Sequence, residues 1–161
     1  MAGILGDIYR VLRDGIGVTS PTFKTERTPV SGIGTGVAYT SGDAFGTTIY
    51  LKVPKEGTIT NVIFLDYDDE GLDKELVLFS GLFTETADNA AFAVSDADLS
   101  KCVGVINIAT WHNFGNNQVG LATPALGYHV PGGILYAQMV TRGVDNIAAD
   151  AIPDIIVVVS Q

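Results

Sequence analysis

The chain has 161 residues, 47% of them hydrophobic and only 17% charged, where a charged share of about 25% is usual. That length can bury a core without disulfides or metals, and the composition excludes intrinsic disorder and points to apolar surface hidden in an assembly. The net charge of −9 is uneven: residues 1–55 carry six Lys/Arg against four acids, and residues 56–161 carry three against fourteen. An acidic body of this kind repels phosphate backbones and argues against a nucleic-acid partner, whereas the mildly basic front end suits a different surface.

No segment approaches the roughly 20 apolar residues of a membrane span. Asp7 and Arg10 interrupt the apolar stretch at the N-terminus, so no secretory pattern is present. The expectation is a soluble protein made in the cytoplasm of the producing cell, with no membrane partner.

Residues 2–14 carry Ile4, Leu5, Ile8, Val11 and Leu12 at i, i+1, i+4, i+7 and i+8, which predicts an amphipathic helix with one apolar stripe. Arg10 and Arg13 suit its C-terminal end and Gly15 suits its stop. So short a helix is marginal alone, and its stripe must pack on its own domain, a sister subunit or a partner. Residues 15–36 mix Gly15, Gly17, Pro21, Pro29, Gly32, Gly34 and Gly36 with Ser and Thr, which reads as an extended arm, laid along a neighbouring subunit or left as a tail.

From residue 37 the pattern is strands and turns. The β-branched or apolar runs 47–53, 58–66, 75–79, 103–108, 134–141 and 154–159 each predict a strand. Helix is expected only over 2–14 and over a short turn at 96–102, capped by Ser95 or Asp96, with Phe92 and Leu99 pointing inward. An alternating β/α pattern is absent. The fold expected is mainly β, an antiparallel sandwich or barrel of jelly-roll type, with a short N-terminal helix and extended arm over 1–36 and a β-rich domain over 37–161.

The acidic stretch 66–75 opens like a calcium loop, with acids at Asp66, Asp68 and Glu70 and then Gly71. Val77 stands where the bidentate glutamate belongs, so the stretch reads as a solvated hairpin connection. Cys102, the one cysteine, reads as a small buried hydrophobe at the start of a strand. A nucleophilic cysteine needs a base, and only His112 and His129 are on offer. No serine-hydrolase elbow, zinc-protease helix or phosphate-binding loop occurs. The expectation is no enzyme, no catalytic residues, no cofactor and no metal. Trp111, His112 and Phe114 fall in a stretch that reads as an exposed loop, either anchored by Trp111 or serving as a contact surface.

Three segments are similar to the head decoration proteins of tailed bacteriophages, also called cement or auxiliary capsid proteins. They are Ala38-Tyr39-Thr40-Ser41-Gly42-Asp43-Ala44-Phe45-Gly46, then Gly57–Val62 with Leu76–Phe79, then Asp88-Asn89-Ala90-Ala91-Phe92-Ala93-Val94-Ser95-Asp96-Ala97-Asp98-Leu99 with Gly104-Val105-Ile106 after it. Tyr136–Gly143 and Ile155–Val159 also fit, so the resemblance covers about residues 37–160. It implies a virion protein on the outer capsid surface, binding the major capsid protein and itself, as a homotrimer or a dimer. Such a protein bridges neighbouring coat subunits and stabilises the expanded head, because it binds that state preferentially. Residues 1–36 lie outside the resemblance, and Ile4, Leu5, Ile8, Val11 and Leu12 are the coat-interface residues expected there. The competing reading is a virion fibre or host-surface module that recognises carbohydrate, for which the Trp111 loop is the one aromatic platform.

Overall fold

The computed structural model describes residues 21–161. Eleven strands and one helical turn follow in order: β1 (Thr22–Lys24), β2 (Thr28–Pro29), β3 (Ala44–Lys52), β4 (Glu56–Asp66), β5 (Lys74–Phe79), α1 (Asp96–Leu99), β6 (Cys102–Ile108), β7 (Thr110–Asn113), β8 (Gln118–Ala122), β9 (Leu126–His129), β10 (Ile134–Thr141) and β11 (Asp154–Ser160). The expected N-terminal helix, with Ile4, Leu5, Ile8, Val11 and Leu12, lies outside the described residues.

The strands form an antiparallel sandwich. One sheet runs β1-β11-β4-β8-β7, with β2 added to β11 and β9 to β4; the other runs β3-β10-β5-β6. Side chains alternate as a pleated strand requires. In β10, Leu135, Ala137 and Met139 face the opposing sheet, where Ile59, Val62, Phe64, Ile155, Val157 and Val159 meet them in one buried cluster. The phase slip between Ile59 and Val62 follows from a bulge, since Val158 pairs with Asn61 but Val159 pairs with Ile59. Each fully buried aliphatic or aromatic side chain of this kind contributes about 1.5–3 kcal/mol.

Residues expected as an arm are extended but lie on the sandwich itself: Thr22–Lys24 and Thr28–Pro29 both pair with β11. The 66–75 connection is not a hairpin, because it carries the chain from one sheet (β4) to the other (β5). Its acids are occupied in shaping that crossover. Asp66 accepts from the Asp68 and Gly71 amides at 2.9 and 2.8 Å, and Asp68 accepts from the Ala148 amide at 2.5 Å.

The outer face of the four-stranded sheet is covered by the segment 80–101. Val77, Phe79 and Val140 form a small second core there, against Phe83, Phe92 and Val94, and the Phe79 and Phe83 rings stack at 4.0 Å. Gln138, fully buried, staples the cover to the sheet. Its carbonyl accepts from the Thr86 amide at 3.0 Å, and its amide donates to Thr86 O at 2.6 Å and Gly46 O at 3.0 Å. Leu99 does not point inward as expected; it is exposed, and Asp98 is the buried residue of α1. Ser95 caps α1 by accepting from the Asp98 amide at 3.1 Å, which leaves Asp98 turned inward and Leu99 outward.

β3 carries a wide bulge. Ile49 pairs with Ala137 and Phe45 with Met139, so two extra residues stand on β3. Gly46 makes the bulge possible at φ 77°, where a side chain would also meet Ser31 O at 2.6 Å. The amides freed by the bulge are answered by carboxylates of the cover. Gly46 N donates to Asp88 at 2.7 Å and Thr48 N donates to Glu85 at 2.8 Å. Asp88 also accepts from the Gly34 amide at 2.8 Å and the Tyr39 hydroxyl at 2.9 Å, tying the 30–39 segment to the same point.

At one end the core is plugged by polar groups. The alternation of β5 places Lys74 on the face of Leu76 and Leu78, and its side chain is 2% exposed. Lys74 Nζ donates to Asp145 Oδ1 and to Leu72 O, each at 2.6 Å. Thr141, at the matching position of β10, donates its hydroxyl to Asp145 Oδ2. The rings of Phe45, Phe64 and Trp111 close around Nζ with centroids at 5.3, 5.9 and 5.6 Å.

Gln138→Leu keeps the volume but leaves the Thr86 amide, Thr86 O and Gly46 O without partners. We expect a loss of about 1–3 kcal/mol for each group that stays buried and unpaired, read by urea unfolding, with faster proteolysis of the 80–101 cover.

Candidate interaction surfaces

A sandwich of two open sheets has two open sides, and here they differ in chemistry. On the first side, β6 ends the four-stranded sheet. It contains no charged residue and no proline, two of the features that blunt an edge, and its one bulge, at Val103, falls at its start. Val105 stands 51% exposed on it. Beside this edge runs a groove of about 350 Å³ between β6 and β8, lined by Val105, Asn107, Thr110, Leu121 and Pro124 among others, none of them ionisable. An edge of this kind offers backbone hydrogen bonds to an added strand and apolar contact to its side chains.

On the opposite side, β1 ends the seven-stranded sheet over β3. A second groove, of about 380 Å³, lies there, lined by Phe23, Lys24, Thr28, Tyr50 and Lys52 with Thr25 and Glu26. Phe23 and Tyr50 are exposed, and Tyr50 is held edge-on against Tyr136 at 5.5 Å. This side combines cations with aromatic surface, in contrast to the acidic residues that dominate 56–161.

The loop expected around Trp111 is a hairpin, β7 turning into β8. Its members take different roles. Trp111 is half-buried, packs edge-on against Phe64 at 5.9 Å, and donates from its indole to Asp73 at 3.2 Å, so it anchors the hairpin. Gly120, directly across from it, leaves the space the ring fills: a side chain there would meet Trp111 at 2.9 Å. His112 is exposed, and Phe114 is 70% exposed at the hairpin tip. The structure therefore separates the three residues into one anchor and two surface positions. Sequence reading missed the β6 edge and both grooves as sites; the uncharged run of β6 was the available signal for the first.

A further apolar surface lies on the cover, where Leu82 and Leu99 are 60% and 59% exposed. The strands of chain carrying them are tied together through Asp98, which accepts from the Thr84 amide at 3.1 Å, Ser95 Oγ at 2.9 Å and Lys101 Nζ at 2.8 Å. The Lys101 hydrogen bond first, then the Thr84 amide and the Ser95 hydroxyl, hold the Asp98 carboxyl far below the usual aspartate range. Among the described residues no group of three or more His, Cys, Asp or Glu side chains is placed to hold a metal ion, and no helix is long and apolar enough to cross a membrane. Compared with protein-family models, curated proteins and solved structures, the chain matches none of them.

Because the folded-state pKa of Asp98 lies below its unfolded value, its contribution to stability is complete above the ordinary aspartate pKa of about 3.9 and is lost as pH falls below that. Unfolding midpoints measured from pH 7 down to pH 2 are expected to drop below about pH 4 in the native protein and to drop less steeply in Asp98→Asn.

Proposed function

We propose that this chain is a structural virion protein that binds the outer surface of a capsid and stabilises the expanded head by bridging coat subunits. It acts by adhesion and not by catalysis. The observation that carries the reading is the β6 side: among the described residues, an unpaired, uncharged strand edge with a groove free of ionisable groups. An uncharged edge of this kind is a template for pairing with another chain. The resemblance of residues 37–160 to head decoration proteins supplies the kind of partner, the major capsid protein.

Self-association fits the opposite side. Lys24 and Lys52 with exposed Phe23 and Tyr50 complement the acidic residues of a sister copy, and a homotrimer would multiply weak contacts through high local concentration. The carbohydrate-module alternative draws less support, because Trp111, the aromatic it would stack sugar upon, is held by Phe64 and Asp73.

The test adds full-length protein to expanded heads that lack it and measures co-sedimentation and heat-induced DNA release. Saturable binding with later release is expected. Val105→Lys, at an exposed position, should leave the fold intact and weaken binding at least tenfold, about 1.4 kcal/mol or more. Unchanged binding of that variant would move the contact off β6, and failure of the native protein to bind heads would overturn the reading.

A further inference from the structure

The polar plug of Lys74, Thr141 and Asp145 takes no part in the interaction surfaces, yet it is the most completely buried set of reactive groups described. Lys74 is 2% exposed and Asp145 is not exposed at all. The amine sits 2.6 Å from a carboxylate oxygen, with the second oxygen of that carboxylate held by the Thr141 hydroxyl. Three aromatic rings surround the amine, and Leu72 O fixes its direction at 2.6 Å.

From this arrangement we propose that Lys74 and Asp145 condense to an intramolecular isopeptide bond. The ammonium passes one proton to Asp145 Oδ1 across their hydrogen bond. This leaves a neutral amine beside a neutral carboxylic acid. The nitrogen lone pair then attacks Cγ, and the Thr141 hydroxyl supports the negative charge that develops on Oδ2. Collapse of the tetrahedral centre breaks the Cγ–Oδ1 bond, and Oδ1 leaves as water with a second proton from nitrogen. One Nζ–Cγ bond forms, one Cγ–Oδ1 bond breaks, two protons and one oxygen depart, and no oxidant, reductant or cofactor is consumed.

Two physical terms favour this step here and oppose it in water. In water the separated ions are stabilised by hydration, whereas in the buried plug two full charges are costly and a neutral amide is not. Holding amine and carboxyl at hydrogen-bond distance also removes the entropic cost of bringing them together. The product would bind the start of β5 covalently to the 142–153 segment, 71 residues away in sequence. It is independent of capsid binding, and either proposal can fail alone.

Mass spectrometry of the denatured full-length protein tests it, with a tryptic map. The bond predicts a mass lower than that of the sequence by one water molecule. Trypsin would leave residues 56–101 uncut at Lys74 and joined to residues 143–161. Lys74→Arg, whose guanidinium is too weak a nucleophile, should show the full sequence mass. A native protein at full mass, with 56–74, 75–101 and 143–161 recovered as separate peptides, would show an ion pair only and overturn the proposal, whether or not the variant folds.

Discussion

Each backbone amide taken out of water needs an acceptor, and the bulge in β3 frees two at once. Gly46 N and Thr48 N cannot reach β10, because the strand has swung away to admit two extra residues. Asp88 and Glu85 supply the missing acceptors, and the cover segment that carries them must therefore lie against β3. Once there, it delivers Thr86 to Gln138 and Phe83, Phe92 and Val94 to the outer face of the sheet. Asp88 gathers Gly34 and Tyr39 as well, and Tyr39 in turn packs on Phe45 at 5.1 Å in the main core. A single register break thus couples the front segment, the cover and the inter-sheet core.

That coupling decides which surfaces remain for partners. The outer face of the four-stranded sheet is closed by its cover, and the inner face by the opposing sheet. Among the described residues both sides where the sheets end stay open, β6 with its uncharged groove and β1 over β3 with its lysines and aromatics, and the cover itself exposes Leu82 and Leu99. One end of the sandwich is filled by Lys74, Thr141 and Asp145 beside the rings of Phe45, Phe64 and Trp111. Neither groove includes that end.

Much of the strand content was legible in the sequence. The run 134–141 coincides with β10, and 154–159, 75–79 and 103–108 each fall within a residue of an observed strand. These segments are β-branched, apolar and bounded by turn residues, so local preference and tertiary demand agree. The segments misread were those where local signals were weak. Thr110–Asn113 reads as part of a loop and Gln118–Ala122 carries no strand signal, but Trp111 on Phe64 and the pairing of β8 with β4 hold both as strands. Leu99 reads as core by hydropathy, yet Asp98 takes the inward place because three donors await its carboxylate.

By itself the sequence determined the class: an acidic, charge-poor, mainly β chain of antiparallel strands, with six of its strand positions and a helical cap at Ser95 or Asp96. These follow from side-chain alternation and turn chemistry, which act over a few residues. Only the tertiary structure decided which strands share a sheet, where the open edges fall and which polar groups meet inside. Gly34 meets Asp88 across 54 residues, and Lys74 meets Asp145 across 71. Partnerships of that range depend on how the sheets stack and where a bulge shifts the register, and no local pattern of residues encodes them.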